Sequence, residues 1–198
     1  MPKNHNIKDK EPPRKYRTIL ADPPWDINQR GNYGAIHHYD LMSLERIKAM
    51  PVADLAEENA HCYLWVTNST LEQGHDVLRA WGFEPKSVIC WWKIYLGLGV
   101  YYRNCTEHIL FGVKGKLPIR CKSQPNILIA PRQKHSQKPS EQFALIERCS
   151  PGKYLELFAR RRHSDQWHVW GDEIDSDIVI PDYPVPRYSK IAHGSEAS

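Results

Sequence analysis

A series of short apolar runs punctuates the chain, most of them closed by a proline, a glycine or polar residues. Arg17 to Ala21, Cys62 to Thr67, Lys86 to Trp92, Glu107 to Val113, Asn126 to Ala130, Lys153 to Ala159 and Trp167 to Trp170 read as strands. Each is too short for a core helix and is bounded by turn signals. Amphipathic stretches lie between them. Ser43 is placed to cap a short helix from Leu44 to Met50 that Pro51 ends. Ser69-Thr70-Leu71-Glu72 reads as a capping box opening a helix that runs to Trp81 and stops at Gly82. Pro139-Ser140 begins a third helix through Phe143 and Ile146, closed by Ser150-Pro151-Gly152. Strand, helix and strand in succession predict an α/β fold with a mostly parallel central sheet and right-handed crossovers. The stretch between Val113 and Asn126 is rich in Gly, Lys and Pro and reads as a long hairpin or insertion.

One strand end stands out. Ile19-Leu20-Ala21 runs into Asp22-Pro23-Pro24-Trp25, and the prolines stop the strand because they fix φ and lack an N–H for the ladder. Open α/β sheets bind their ligands just beyond the carboxyl ends of strands, so Asp22 to Trp25 are candidate site residues. Asp22 and the carbonyl of Pro23 are acceptors suited to the two hydrogens of an exocyclic amine, and Trp25 offers a face on which an aromatic ring can stack. Asp-Pro-Pro is also an ordinary way to leave a strand; its position after a buried run is what raises it above that reading. Two further strand ends are rich in polar groups, at Arg160 to His163 and at Asp172-Glu173. An acid just beyond a strand is what α/β nucleoside sites use on ribose hydroxyls.

Composition narrows the class without naming it. With 198 residues, 41% hydrophobic and 25% charged, the chain fits one globular domain. Residues 1–15 read as a polar arm, 16–174 as the domain, and 175–198 as an irregular tail without a core pattern. The net charge of +4 is too small to announce a nucleic-acid binder by itself. Its distribution is more telling: from Ile109 to Ser140 there is no acid, while Lys114, Lys116, Arg120, Lys122, Arg132, Lys134 and Lys138 supply cations. Lys114, Lys116, Arg120 and Lys122 are therefore candidate phosphate contacts beside the Asp22 site. The 5 cysteines are odd in number and form no C-x-x-C pair, which speaks against a disulfide framework or zinc ribbon and suits a reducing cytoplasm. His37 and His38 lack the acid or Cys partners of a metal site, so no metal is expected. No apolar run reaches transmembrane length.

Read together, several stretches resemble the family of the eukaryotic mRNA adenosine N6-methyltransferase catalytic subunit and its bacterial and phage relatives. They are Ala-Asp-Pro-Pro-Trp-Asp at 21–26, Tyr-Leu-Trp-Val-Thr at 63–67, Glu-His-Ile-Leu-Phe-Gly-Val-Lys-Gly at 107–115, Lys-Pro-Ser-Glu at 138–141, and the stretch 146–160 with Ser-Pro-Gly and Glu-Leu-Phe-Ala-Arg. The resemblance implies a Rossmann-like methyltransferase that uses S-adenosylmethionine, in a permuted order with the catalytic strand ahead of the cofactor strand. It implies Asp22, Pro23, Pro24 and Trp25 as the catalytic motif. Asp22, Lys138, Phe158, Arg160, Arg162, His163, Asp172 and Glu173 fall at its cofactor positions, Asp172 and Glu173 standing where the family has amides. Trp25, Tyr39, Trp91 and Glu107 resemble its base-side positions. The family's upstream acidic segment has no counterpart, since only the polar arm precedes Tyr16, and the cofactor's adenine is left without an assigned contact.

The expected reaction is methylation of the N6 amine of adenine in nucleic acid. DNA is favoured over RNA because the chain shows no zinc-finger or Arg/Gly-rich extension. A homodimer stays open. Two rivals remain: a non-catalytic nucleic-acid-binding subunit, and methylation of a protein amide or small-molecule amine.

Overall fold

The computed structural model describes residues 15–26, 41–99, 101–133 and 137–183. Its strands are β1 (Tyr16–Ala21), β2 (Ala56–Val66), β3 (Glu84–Trp92), β4 (Thr106–Lys114), β5 (Ile127–Ile129), β6 (Tyr154–Leu157) and β7 (Trp167–Trp170). Its α-helices are α1 (Leu44–Lys48), α2 (Val52–Leu55), α3 (Leu71–Ala80) and α4 (Glu141–Cys149). The strands form one seven-stranded sheet in the order β5-β3-β4-β2-β1-β6-β7. β1 lies parallel to β2 and β6, β6 to β7, and β3 to β5, whereas β4 is antiparallel to both of its neighbours. The sheet is thus mostly parallel, with β4 reversed in its interior.

Side-chain alternation along the strands sorts the core into two faces. Ile19, Ala21, Leu64 and Val66 face Ile47 and the α3 residues Val77 and Leu78, while Leu20, Tyr63, Trp65, Ile109 and Phe111 face Phe143 and Ile146 of α4. Each such large apolar side chain, once fully buried, contributes about 1.5–3 kcal/mol.

The capping box sits two residues earlier than expected. Thr67 and Thr70 form it around a 3₁₀ turn, Asn68–Thr70, that leads into α3. Past Trp81, which closes α3, Gly82 takes a φ of 80°, the left-handed conformation that glycine adopts without cost. The indole of Trp81 donates to the Ile47 carbonyl at 2.8 Å and so ties the end of α3 to α1. The expected hairpin after β4 is instead an irregular passage, because β5 pairs in parallel with β3. The stretch after Ile174 is irregular but not detached: Asp177 pairs with Arg162 and accepts from the Val169 amide at 2.7 Å, and Ile180 is buried in the core.

β6 and β7 are held in tight approach where they leave the sheet. A Cβ on Gly171 would stand 1.7 Å from the Ala159 carbonyl oxygen. Gly171→Ala is therefore expected to push these strand ends apart and cost about 1–3 kcal/mol, as overpacking does. Urea denaturation checks this, and parental stability would show slack between the two strand ends. No helix among the described residues is long and apolar enough to cross a membrane.

Candidate active site

The end of β1 is pinned by its own backbone. The Trp25 amide donates to the Pro23 carbonyl at 2.9 Å, the Met42 amide to the Pro24 carbonyl at 2.8 Å, and the Asp26 amide to the Met42 carbonyl at 3.0 Å. Trp25 is half-buried: its indole N–H donates to the Trp65 carbonyl at 3.1 Å, and the ring packs against the α1- and α3-side core rather than lining the cavity that Asp22 lines. The Pro23 carbonyl thus has one lone pair engaged and one left to accept another donor.

Lys138, just ahead of α4, reaches across to this strand end. Its Nζ donates to Asp22 Oδ1 at 2.9 Å and Oδ2 at 2.8 Å, and lies 3.4 Å from Glu107 Oε2. Glu107 also accepts from Lys93, whose ammonium sits 5.0 Å from the centre of the Trp91 ring. Asp22, Lys138, Glu107 and Lys93 therefore form a chain of alternating charge. Burial opposes the Lys138 ammonium, but the Asp22 and Glu107 carboxylates outweigh it and raise its pKa above the usual lysine range. Burial likewise opposes ionised Glu107, and Lys138 with Lys93 turns the balance, holding its pKa below the usual carboxylate range. The reversal of β4 brings this about, since it sets the start of β4 at the carboxyl ends of its neighbours.

Behind the pair opens a cavity of about 360 Å³. Asp22, Lys138, Phe158, Arg160 and Glu173 line it as expected from the sequence, and Trp65, Gln137, Gln142, Glu156 and Arg161 join them. Phe158 takes a φ of 63° directly after β6 and packs edge-on against Trp170, which turns the chain so that Arg160 returns to the cavity. Arg160 Nε lies 3.9 Å from Glu173 Oε1. Glu156 is the least expected of these. It is the register partner of Leu20, so it shares the α4-side face of the sheet with Leu20 and Asp22, in an otherwise apolar layer. Its Oε2 is buried without a hydrogen-bond partner. Burial first, then the charge of Asp22, push its pKa up to about 8 against the pull of Arg161.

Other expected site residues are used elsewhere. Trp91 is buried and donates to the Ala130 carbonyl at 2.8 Å, so it supports Lys93 from below rather than presenting a face to a base. Arg162 is committed to Asp177 and to the Trp167 carbonyl. The His163 ring stacks on Phe143 with centroids 3.9 Å apart. Asp172 is half-buried outside the cavity lining, and burial raises its pKa. The basic run does not gather at the site. Lys114 ends β4, the strand that runs away from Asp22, and donates to the Ala53 carbonyl at the opposite edge of the sheet. Lys116 and Arg120 are tied by their amides to Asn59 and to the Cys149 carbonyl at that same edge, and Lys122 follows on the exposed passage towards β5. Among the described residues, exposed Arg161 lines the cavity, and exposed Arg103, in the β3–β4 connection, and Arg132, after β5, lie on the carboxyl-edge side of the sheet. Tyr39 lies outside the described residues.

A seven-stranded, mostly parallel sheet with a charged cavity at its carboxyl edge defines a Rossmann-like methyltransferase architecture. The chain belongs to the MT-A70 family, whose profile matches residues 16–173. It is 31% identical over 176 residues to a Medicago truncatula protein named putative N(6)-adenosine-methyltransferase MT-A70-like, covering 84% of this chain and 28% of that one. It is 30% identical over 191 residues to the human N(6)-adenosine-methyltransferase catalytic subunit METTL3, covering 89% and 31%. It is 29% identical over 194 residues to the type II methyltransferase M.MunI of a Mycoplasma species, covering 86% and 83%. The chain thus spans less than a third of those two N(6)-adenosine relatives and most of the type II methyltransferase.

Proposed function

We propose that this protein transfers a methyl group from S-adenosylmethionine to the exocyclic N6 amine of adenine in nucleic acid, with DNA favoured over RNA. The observation that carries the reading is the pairing of Lys138 with both oxygens of Asp22 in the cavity, at the strand exit that goes on to Trp25. Adenine's amine is a poor nucleophile because its lone pair is delocalised into the ring. Asp22, with the remaining lone pair of the Pro23 carbonyl, can accept its hydrogens and stabilise the charge that develops on nitrogen. Trp25 gives the base a face on which to stack once it has left its duplex partner. Positioning, not covalent participation by the protein, is the main contribution.

The donor set of the cavity fits the cofactor. Lys138 and Arg160 suit a carboxylate, Glu173 suits ribose hydroxyls, and the unpartnered carboxyl of Glu156 suits a cationic group. When bound, S-adenosylmethionine supplies a methyl group made electrophilic by its sulfonium sulfur. DNA is favoured because the match spans most of the type II methyltransferase and a minor part of the N(6)-adenosine enzymes.

Incubation with label from S-adenosylmethionine on DNA, RNA and protein tests the reading. Label recovered as N6-methyladenine in DNA is the expected result, and label recovered only in protein or a small amine overturns it. DNA-binding measurements over a range of salt concentrations address the backbone contacts. Arg132→Glu is expected to weaken DNA binding and flatten its salt dependence by about 0.9 in log–log slope per lost contact. Lys116→Glu, at the opposite edge, is expected to leave both unchanged.

A further inference from the structure

We propose that the tip of the β3–β4 hairpin is a stacking wedge: Tyr101 and Tyr102 enter the duplex beside the target adenine and lie against the bases that the adenine leaves behind. The inference rests on nucleic acid being the substrate. Its ground is an exposure that folding does not account for. Tyr95, Leu96, Leu98, Tyr101 and Tyr102 stand close together in the chain, and Tyr101 and Tyr102 are 96% and 89% exposed. A cluster of large apolar side chains held in water marks a surface that meets a partner.

The backbone gives this cluster a defined shape and place. The Lys93 amide donates to the Cys105 carbonyl at 2.8 Å, the Gly97 amide to the Asn104 carbonyl at 2.7 Å, and the Asn104 amide to the Leu98 carbonyl at 3.3 Å. The base of the hairpin is tied down on both faces of the sheet. On one, Lys93 pairs with Glu107, which pairs with the Lys138 that holds Asp22. On the other, the Asn68 side chain donates to Asn104 at 3.3 Å and accepts from His108 Nε2 at 2.7 Å, and Asn68 follows the strand whose Trp65 carbonyl holds Trp25. The tyrosines therefore project from the same sheet edge as the residues that would hold the reacting amine.

Charge and shape together name the occupant. From Pro85 to Ser140 the one acid is Glu107, and Lys93 and Lys138 neutralise it. Arg103 follows the two tyrosines directly and is exposed. Phosphates can approach this hairpin without meeting a negative charge. A second copy of the chain is a poorer match, since a two-fold contact would set two such hairpins, each with its Arg103, against each other. An adenine that leaves a duplex to reach Asp22 exposes the faces of its former neighbours. Aromatic rings cover such faces whatever the sequence, because every base has a π face, and the tyrosine hydroxyl keeps the free tip hydrated.

Equilibrium binding and label transfer by the double variant Tyr101→Ala/Tyr102→Ala test the wedge, on one DNA in its duplex and its heat-denatured forms. The variant is expected to bind duplex DNA about tenfold more weakly, and at subsaturating DNA to methylate it more slowly by a similar factor. The loss on denatured DNA is expected to be smaller, because no stack has to be opened there. No charge is removed, so the salt dependence of binding keeps the parental slope. Tyr101→Phe/Tyr102→Phe, which keeps both rings, is expected to behave as the parent. Both side chains lie outside the core, and matching denaturation curves show that the alanine pair is folded.

Parental binding and methylation by the alanine pair overturn the assignment. Equal losses on the two forms of DNA overturn it as well, since the tip would then be a general contact and not a wedge. Light scattering at the assay concentration covers the other occupant: a parent dimer that the alanine pair turns into a monomer gives the surface to a second copy. A parent that transfers no label to nucleic acid faults the substrate reading itself, whereas a parent that methylates duplex DNA no better than the alanine pair faults the wedge alone.

Discussion

Replacing Asp22 with alanine is expected to lower methyl transfer by about 10²–10³, the cost of losing one preorganised partner of the developing charge. The fold should survive it. Asp22 lies beyond the last hydrogen-bonded residue of β1, and the strand exit is pinned by the Trp25, Met42 and Asp26 amides rather than by the Asp22 side chain. The Lys138 ammonium that Asp22 releases keeps Glu107 at 3.4 Å. Steady-state turnover alongside a denaturation curve separates the two effects. Near-parental turnover in a folded Asp22→Ala protein would take the amine-holding role away from this residue.

Lys138→Met is expected to damage both stability and function, because one ammonium serves two carboxylates. Methionine fills much of the same volume beside Trp65 but leaves Asp22 and Glu107 facing each other without the charge between them. Breaking a fully buried pair costs about 3–5 kcal/mol, and this pair, with Asp22 partly exposed, belongs at the low end of that range. The pH dependence has a definite sign. Glu107 has its pKa lowered by folding, so its stabilisation is present above the usual glutamate value and is lost as pH falls through the folded one. Because Lys138 supplies much of that stabilisation, the gap between parent and variant is expected to narrow below pH about 4. S-adenosylmethionine affinity, measured by calorimetry, should fall in the same variant. A gap independent of pH would mean that Lys138 acts by packing alone.

Much of this arrangement is legible in the sequence, for a physical reason. Apolar runs long enough for one pass of a sheet and closed by prolines or polar residues can hardly be anything but strands, and all of the expected ones are present. The Asp22 end is legible because the two prolines stop a strand at a place where sheets bind ligands. Strand direction is not legible. Nothing between Thr106 and Lys114 announces that this strand runs backwards, yet that reversal carries Glu107 to Lys138 and Lys114 with Lys116 to the far edge. A charge run in sequence is therefore not a charge patch in space. Trp91 was open to misreading in the same way, since an aromatic residue near a strand end serves a base or a core equally well until its indole is seen bonded to Ala130. Glu156 carried a signal that composition hides: one acid within an apolar stretch of a buried strand. Arg162 looked like its neighbour Arg160, and only the return of the chain through Asp177 separates the two.

The reversed strand has one more consequence. Because β3 and β4 run in opposite senses, the chain joining them leaves and re-enters the sheet at the cavity edge and need not cross back over a layer of helices. Doubling the length of such a connection costs only about 0.6 kcal/mol of closure entropy. The stretch already departs from the composition of the rest of the surface, with Tyr95, Leu96, Leu98, Tyr101 and Tyr102 largely exposed. The architecture thereby separates inheritance into two parts: a catalytic frame whose residues are locked to one another, and an adjoining hairpin free to lengthen, shorten and change its chemistry without unsettling that frame.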